Sequence, residues 1–311
     1  MSKYEEFINF TGDYNYDTAF WDSMRGIAIN KATLDKGRDS ATDTFRMPES
    51  DEKLYMTALK KESIFRSLAT VIRIYGDSTI FAKEYDDIAA WIPEAGTLPE
   101  YDGTEDFTKS AIETHKLANI VRLNEDFVHD MQTNMKDYLV KRLARNFGYA
   151  EEDAFINGTG TDMPTGILDD TNGAQVGVTA TALTADDIIK LFFSVKPEYR
   201  RNAVWMMSDE TALTLRTLKD DAGNYLWRST DDSLLGHKVV ISNYMPSAAS
   251  GKKPVAFGDF GYYWIIGRKP LCVRTLKEKY VVYGQIGYLA YEFLDGKLVR
   301  PEAIKTLQIT E

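Results

Sequence analysis

Hydrophobic positions in the middle of the chain recur every three or four residues, the spacing of a helix with one buried face. They are Val128, Met131, Met135, Leu139, Leu143, Phe147, Ala150 and Ala154. Asn124 can cap the first turn, and Asn157 with Gly158 can end the last turn because both residues tolerate positive φ. No proline interrupts the pattern, so it predicts one helix of about 30 residues, over about 124–156.

Ahead of this helix, two strand-like runs flank a segment rich in proline, glycine and acidic residues. Eight carboxylates and no lysine or arginine lie between Glu84 and Asp106, while Lys83 and Lys109 only flank that segment. The pattern predicts a long β-hairpin, with Trp91 just before its turn region. A long hairpin is marginally stable alone in water, so we expect it to lie on another surface, such as a neighbouring subunit.

Residues 1–60 are mostly polar, and residues 32–50 show no apolar period. They predict an arm that is poorly ordered alone and whose aromatic side chains dock elsewhere. These side chains are Phe7, Phe10, Tyr14, Tyr16, Phe20 and Trp21. The following segment, "EKLYMTALKKESIFRSLA", has helical spacing at Leu54, Ala58, Ile64 and Leu68.

Helical and strand patterns alternate in the second half of the chain. "TADDIIKLFFSV" predicts a helix capped by Thr184, and "SDETALTLRTLKD" predicts a second helix capped by Ser208. Strands are predicted at "NAVWMMS", "HKVVIS" and "PVAFGDF". The last forty or so residues are mostly strand, with a hairpin turn predicted at Asp295 and Gly296.

Composition narrows the class of protein. The chain is 44% hydrophobic and 27% charged, which is typical of a soluble globular protein. A net charge of -10 makes it a poor candidate for sequence-specific nucleic-acid binding, which depends on lysine and arginine. The sequence shows neither a membrane-spanning apolar run nor a secretory signal. The single cysteine, Cys272, is expected to be a small buried side chain.

Candidate chemistry is sparse. The glycine-rich stretch "EEDAFINGTGTDMPTGIL" contains no lysine or arginine and follows a helix, so it predicts a helix end and not a phosphate-binding loop. The three histidines are far apart and predict no zinc site. No Gly-x-Ser-x-Gly motif occurs, although a triad assembled in space stays open. The pairs Glu151-Glu152 and Asp186-Asp187 are expected on solvated helix faces or in first turns. We therefore predict no catalytic residue, cofactor or metal.

Seven motifs follow one another over about residues 60–311. They are "AAWIPEAGTLPEYD", "KLANIVRLNEDFVHD", "EEDAFINGTGTDMPTGIL", "WMMSDETALTLRTLKDDAGNYLW", "LLGHKVVIS", "VAFGDFGYYWIIGR" and "GYLAYEFLDGKLVRPEAIKTL". Each motif alone is weak, but in this order they resemble the major capsid proteins of tailed bacteriophages, which have the Hong Kong ninety-seven-like shell fold.

The resemblance implies an α+β phage capsid fold with an N-terminal arm, an extended β-hairpin loop, a peripheral domain with a long spine helix, and an α/β axial domain. The expected ranges are 1–60 for the arm, 79–120 for the loop, 61–78, 121–178 and 268–297 for the peripheral domain, and 179–267 and 298–311 for the axial domain.

The resemblance also implies a function. Copies of such proteins form pentamers and hexamers that close into an icosahedral shell around double-stranded DNA, bound without sequence specificity. We expect a location in the virion capsid, assembly in the bacterial cytoplasm, a portal as partner, and no enzymatic activity. No long scaffolding segment precedes the arm in this sequence, so we expect a separate scaffolding protein, or assembly without one. If Met1 is the start of the gene product, we also expect no proteolytic maturation.

Contacts between subunits are expected where the acidic loop meets a basic surface. The residues proposed for this contact are Trp91, Glu94, Glu100, Asp102 and Glu105 in the loop, with Arg142 and Arg145 on the spine helix. Arg200 and Arg201 are alternative basic partners. Relatives that crosslink their subunits use a lysine of the extended loop. The acidic segment here has none, so we expect a non-covalent shell.

Two other functions stay open from sequence. An encapsulin-type nanocompartment shell, which resembles the same fold, would hold a cargo protein instead of DNA. An enzyme on an α/β scaffold would need a pocket with converging acid-base groups. Particle contents and neighbouring genes would distinguish the two shells.

Overall fold

The structure is a computed structural model that describes residues 11–29, 31–40, 42–74, 80–83, 91, 107–110, 114–130, 134–219, 222–225, 227 and 232–310. The helices in these ranges are α1 (Tyr14–Arg25), α2 (Lys31–Asp35), α3 (Glu49–Glu62), α4 (Ile64–Leu68), α5 (Glu125–His129), α6 (Met135–Asn157), α7 (Ala185–Ser194), α8 (Pro197–Arg200) and α9 (Asp209–Arg216). Short 3-10 helices lie at Phe260–Tyr262 and Glu278–Tyr283.

The strands in the same ranges are β1 (Arg38–Asp39), β2 (Thr44–Arg46), β3 (Thr70–Arg73), β4 (Ile80–Lys83), β5 (Phe107–Ser110), β6 (His115–Asn124), β7 (Gln175–Ala180), β8 (Val204–Met207), β9 (Ser233–Leu234), β10 (His237–Ile241), β11 (Val255–Gly258), β12 (Tyr263–Leu276), β13 (Gln285–Leu298) and β14 (Ile304–Ile309). None of the helices in the described part of the chain combines the length and apolar character that a membrane crossing requires.

The first sheet has the order β1-β2-β12-β13-β6, and β3 pairs in parallel with β12. The long antiparallel hairpin of β12 and β13 occupies its centre, and β6 pairs with β13 over its whole length. Side chains of α1, α3 and α6 form one hydrophobic cluster with this sheet, with Phe20, Leu59, Leu143, Phe147 and Tyr288 among its members. The spine helix α6 therefore packs on the sheet that carries the central hairpin.

The second sheet has the order β7-β14-β11-β8-β10-β9, with parallel pairs at β7–β14 and β8–β10. Its core lies against α7 and α9 and contains Trp205, whose indole stacks on Phe257 with ring centroids 4.1 Å apart. A third cluster joins the two sheets. In it, Phe65 packs edge-on against Tyr263 of β12 at 4.8 Å, beside Met206 of the second sheet.

The described part of the N-terminal segment packs on its own chain. Tyr16, Phe20, Trp21 and Met24 recur at helical spacing on α1 and are buried. The Tyr288 hydroxyl donates to the Met24 carbonyl at 3.1 Å. The expectation that the aromatic side chains dock elsewhere is therefore wrong for Tyr16, Phe20 and Trp21, whereas Tyr14 is 82% exposed. Polar residues between these aromatics hid the helical period. Phe7 and Phe10 lie outside the described residues, and the designation of 1–60 as an arm stays a prediction.

The spine is divided, and the prediction of one helix over 124–156 is wrong. Helix α5 ends at His129, and Asp130 is extended with φ -67° and ψ 117°. Helix α6 begins after Asn134, whose side-chain oxygen accepts a hydrogen bond from the Asp137 amide at 3.2 Å. This second N-cap favours a new helix start, which a pattern of apolar spacing does not reveal.

The apolar face of the spine is largely confirmed. Val128, Met135, Leu139, Leu143 and Phe147 are buried, and Met131 lies outside the described residues. In the last turns the burial shifts, because Ala150 is exposed and Ala154 is only half-buried. The buried positions there are Glu151, Glu152, Phe155 and Ile156.

The helix end at Asn157 is confirmed, but for a different physical reason. Gly158 has φ -62°, so no left-handed conformation is needed. A Cβ atom at Gly158 would instead lie 2.1 Å from the Pro164 carbonyl oxygen and 2.3 Å from that of Ala154. The glycine allows the chain after the helix to return close to the last turn.

The two capped helices that were predicted in the second half of the chain are confirmed. The Thr184 hydroxyl accepts from the Asp187 amide at 3.3 Å, and the Ser208 hydroxyl accepts from the Thr211 amide at 3.3 Å. Asp187 lies in a first helical turn, as expected. The three predicted strands are β8, β10 and β11.

The predicted turn at Asp295 and Gly296 is wrong. Both residues lie inside β13, opposite Ile266 and Ile265. Gly296 makes room for Tyr263, whose hydroxyl oxygen would lie 2.4 Å from a Cβ at that position. The actual connection between β12 and β13 is residues 277–284.

The segment after residue 50 forms two helices, because the Ser63 hydroxyl caps a new helix by accepting from the Arg66 amide. Tyr55 and Leu59 are the buried apolar side chains of α3, and Leu54 and Ala58 pack partly against the same core. Ile64 is 38% exposed, so its predicted place on the buried face is wrong.

Strands β4 and β5 form an antiparallel pair from Ile80 opposite Ser110 to Lys83 opposite Phe107. They flank the acidic segment, as the two strand-like runs predicted. Residues 115–120, within the range predicted for the extended loop, belong to β6 of the first sheet. Predicted domain boundaries at 178, 267 and 297 fall inside β7, β12 and β13. The division into peripheral and axial domains stays a prediction.

Candidate functional site

The residues proposed for subunit contact are only partly described by the structure. Trp91 is fully exposed. Arg142 and Arg145 are exposed on α6. Glu94, Glu100, Asp102 and Glu105 lie outside the described residues. The contact between the loop and the spine helix therefore stays a prediction.

The exposed face of α6 combines positive charge with aromatic rings. Tyr138, Arg142, Arg145 and Tyr149 follow one another at helical spacing on that face, and we call them the basic stripe. The Arg145 guanidinium lies over the Tyr149 ring, and its Nε donates to the Tyr149 hydroxyl at 3.0 Å. Arginine side chains held in this way can bind carboxylates through two parallel hydrogen bonds.

The alternative basic residues have different surroundings. Arg200 is half-buried, and its guanidinium lies 5.1 Å from the Phe192 ring centre and 5.3 Å from that of Phe193. Arg201 is exposed. Arg200 is thus packed within its own subunit, which makes the basic stripe the better candidate for a contact.

A buried carboxylate cluster joins four elements of the fold, α3, α4, α6 and β13. Arg66 of α4 donates to both carboxylate oxygens of Glu151 on α6, at 2.5 and 2.7 Å. Its Nη2 lies 3.5 Å from the Glu292 carboxylate of β13. Tyr55 of α3 donates its hydroxyl proton to Glu292 at 2.8 Å. We define Tyr55, Arg66, Glu151 and Glu292 as the buried carboxylate cluster.

Two carboxylates in this cluster share one guanidinium. Burial and the charge of Glu151 together raise the pKa of Glu292 to about 7, against the opposing effect of the Arg66 charge. Burial also raises the pKa of Tyr55 well above its ordinary value, so its hydroxyl remains a donor. Both shifts favour the protonated forms of Glu292 and Tyr55.

Glu152 forms a second buried polar contact next to the cluster. Its carboxylate accepts from the Ser63 hydroxyl at 2.8 Å, the Phe65 amide at 2.9 Å and the Ser242 hydroxyl at 3.2 Å. Burial raises the pKa of Glu152. The contact joins α4, α6 and the end of β10.

The expectation that Glu151 and Glu152 are solvated is wrong, since they are only 1% and 3% exposed. A signal was present in the sequence. Glu151 lies four residues after Phe147 and eight after Leu143, on the buried helix face. No comparable pattern identified the residues of α4 and β13 that these glutamates and their cluster contact.

These buried groups hold elements of the fold together. Each buried carboxylate accepts hydrogen bonds from groups of its own chain, as buried charges require. Within the described ranges, no group of histidine, cysteine and acidic side chains could hold a metal ion. Cys272 is 2% exposed, and burial raises its pKa to about 11, which confirms it as a buried side chain.

The fold defines the class of protein: it is the Hong Kong ninety-seven-like capsid fold, shared with solved phage capsid structures. The capsid of a native GTA particle is 27% identical, with a TM-score of 0.64, over 82% of this chain and 91% of that one. The capsid of an empty GTA particle is also 27% identical, with a TM-score of 0.63, over 80% and 90%. A chain of Gordonia phage Cozz shares the fold at 14% identity and a TM-score of 0.57, over 80% and 87%.

The chain belongs to the phage capsid family, whose sequence model matches residues 46–309. A comparison with curated proteins found no match. Family and structural neighbours are structural capsid proteins, so the chain has a shell-forming role and its place is the virion capsid. The nanocompartment and the enzyme alternatives are not favoured.

Proposed function

We propose that this chain is a major capsid protein that assembles as pentamers and hexamers into an icosahedral shell enclosing double-stranded DNA. One observation supports self-assembly most directly. Strands β4 and β5 pair with each other and with no further strand of the described residues. A two-stranded hairpin of this kind is marginal in water, and a neighbouring copy would supply the missing surface.

The net charge of -10 supports a container for DNA more than a sequence-specific DNA-binding protein. In this proposal the DNA is held by enclosure and without sequence specificity. A portal through which DNA enters and a separate scaffolding protein complete the assembly, which takes place in the bacterial cytoplasm.

Purified protein at rising concentration should form closed shells, sheets or capsomers visible by negative-stain electron microscopy. Particles formed during infection should contain nuclease-resistant double-stranded DNA. Boiling these particles in detergent should release single chains, because the acidic segment has no lysine for a covalent link. A compact monomer at high concentration would contradict the proposal, and a protein cargo in place of DNA would favour the nanocompartment.

The basic stripe is proposed to receive the acidic loop of a neighbouring subunit. The double substitution Arg142→Glu and Arg145→Glu should raise the protein concentration needed for assembly. Each exposed ion pair contributes only about 0–1 kcal/mol, but the contact repeats in every copy. Higher salt should weaken assembly of the unsubstituted protein for the same reason.

A matched control is Lys238→Glu with Lys252→Glu, two exposed lysines of the second sheet region. It changes the net charge equally and should alter assembly less. If the two double variants have equal effects, or if assembly does not depend on salt, the basic stripe is not the contact.

A further inference from the structure

A cavity of about 200 Å³ lies between α7, α9 and the turn that joins β9 to β10. The side chains that line it are apolar, and they include Ile188, Ile189, Leu215, Leu218, Trp227 and Leu235. Leu215 and Trp227 are buried in the core of the second sheet, whereas Ile189 is 44% exposed and Leu235 is 46% exposed. The cavity therefore has its floor in that core and its mouth at the surface.

The polar groups beside Trp227 are already paired within the chain. The indole Nε1 of Trp227 donates to the Ser233 carbonyl at 2.9 Å. The Arg216 guanidinium lies 4.4 Å from the centre of the Trp227 ring and donates to the Asp232 carboxylate at 2.8 Å. These groups have their hydrogen bonds and their ion pair, so what this wall offers to an occupant is apolar contact.

Leu235 adopts a backbone conformation that is unusual for leucine. Its φ is 50°, and Gly236 follows with a φ of 80°. Two positive φ values in the two-residue turn of a hairpin favour asparagine and glycine, and a side chain with a branched body is costly at the first of them. Because Leu235 is 46% exposed, burial in the core compensates little of this cost. Its side chain instead forms part of the cavity wall.

We propose that this cavity is a binding site for a small, uncharged, apolar molecule of about the size of one aromatic ring. A cavity of about 150 Å³ lined by leucine, isoleucine and phenylalanine stays dry and binds benzene in another protein. A ring bound here gains contacts with side chains of both helices and of the β9–β10 turn. The site lies within one subunit, so the inference does not depend on the proposed shell.

The charge state of the occupant follows from the lining. A water molecule in such a cavity needs two to four polar partners, and the paired groups beside Trp227 do not supply them. A charged ligand would lose its hydration without gaining an ion pair in return. An uncharged ring loses little hydration and gains apolar contact, which makes it the occupant that this cavity complements.

Benzene is the probe that tests the site, and the unassembled full-length subunit is the sample. Titration followed by calorimetry should give saturable binding at one site. The melting temperature of the subunit should rise with benzene concentration, because a ligand that binds only the folded state stabilises it. Benzoate, which has the same ring and a negative charge, should bind at least about tenfold more weakly.

The substitution Ala185→Phe fills the cavity from α7, since Ala185 belongs to its lining. It should abolish the saturable binding of benzene. The matched control is Ala249→Phe, which adds the same ring at an exposed alanine outside that lining and should leave the binding unchanged. Equal affinity of Ala185→Phe and the unsubstituted subunit for benzene would overturn the inference.

Leu235→Gly supplies a second readout in a subunit whose fold is not at risk. Glycine adopts a φ of 50° without strain, so the melting temperature without benzene should stay the same or rise. The loss of one wall should weaken benzene binding about fivefold. A subunit that shows no saturable binding of benzene, or that binds benzoate more tightly than benzene, would refute the proposed site.

Discussion

Replacing Arg66 with methionine is expected to destabilise the unassembled subunit by about 3–5 kcal/mol. Arg66 is the only cation within 4 Å of Glu151 and Glu292 among the described ion pairs of those two carboxylates. Its removal leaves two buried carboxylates without a positive charge, and they connect α6 and β13 to the rest of the core. Urea unfolding of the subunit, followed by circular dichroism, measures the change in the free energy of unfolding.

The control for this prediction is Lys53→Met. Lys53 lies 2.6 Å from Glu49, and its side chain is 74% exposed. An exposed pair of this kind contributes little, so the control should change the free energy of unfolding by less than about 1 kcal/mol. If Arg66→Met is as mild as Lys53→Met, the cluster does not stabilise the subunit in the way its geometry indicates.

The substitution Glu292→Gln is expected to change the pH dependence of subunit stability. The pKa of Glu292 is raised from 4.5 to about 7, so the folded subunit binds this proton more tightly than the unfolded chain does. The resulting stabilisation is fully present below pH 4.5 and is lost as the pH rises through about 7. Glutamine has no proton to lose, so the variant should gain about 2–3 kcal/mol relative to the unsubstituted protein between pH 5 and pH 8.

The measurement is the free energy of unfolding of both proteins in urea at pH 5, 6, 7 and 8. Glu125→Gln, at a side chain 58% exposed on α5, removes the same charge and should leave the pH profile of the unsubstituted protein nearly unchanged. A Glu292→Gln profile parallel to that of the unsubstituted protein would show that Glu292 is ionised throughout this range.

The sequence was sufficient to predict the helices and strands that are stabilised by residues close to one another along the chain. Thr184 and Ser208 cap their helices because a hydroxyl accepts an amide three residues later, which the sequence alone displays. The buried strand at Val204–Met207 likewise has a continuous apolar run. Such elements depend on neighbours within a few residues.

Contacts between distant segments could not be predicted, because local patterns do not show which residues meet in the folded chain. Arg66 meets Glu151 across 85 residues, and Tyr55 meets Glu292 across 237 residues. A buried acidic residue has the same sequence signature as a solvated one until its partner is known. The burial of Tyr16 and Phe20 was missed in the same way, because their core partners include residues of β12 and β13.

Exposed residues could likewise be predicted from sequence in one region and not in another. The exposure of Arg142 and Arg145 followed from the helical period, because the opposite face is apolar. The exposed connection between β12 and β13, residues 277–284, was not predicted, because "KYVVYGQIGYLAYEF" was interpreted as strand and valines such as Val281 and Val282 are common in strands. They lie instead in a 3-10 helix whose Tyr280 ring packs against Gly287 of β13.

The order of strands in the two sheets has a consequence for protein synthesis. In the first sheet, as far as the structure describes the chain, β2, β3 and β6 are joined to one another only through β12 and β13, which end at residue 298. In the second, β14, at residues 304–309, lies between β7 and β11. A chain still growing on the ribosome therefore carries two unfinished sheets, and a folded building block exists only once these late strands have been translated.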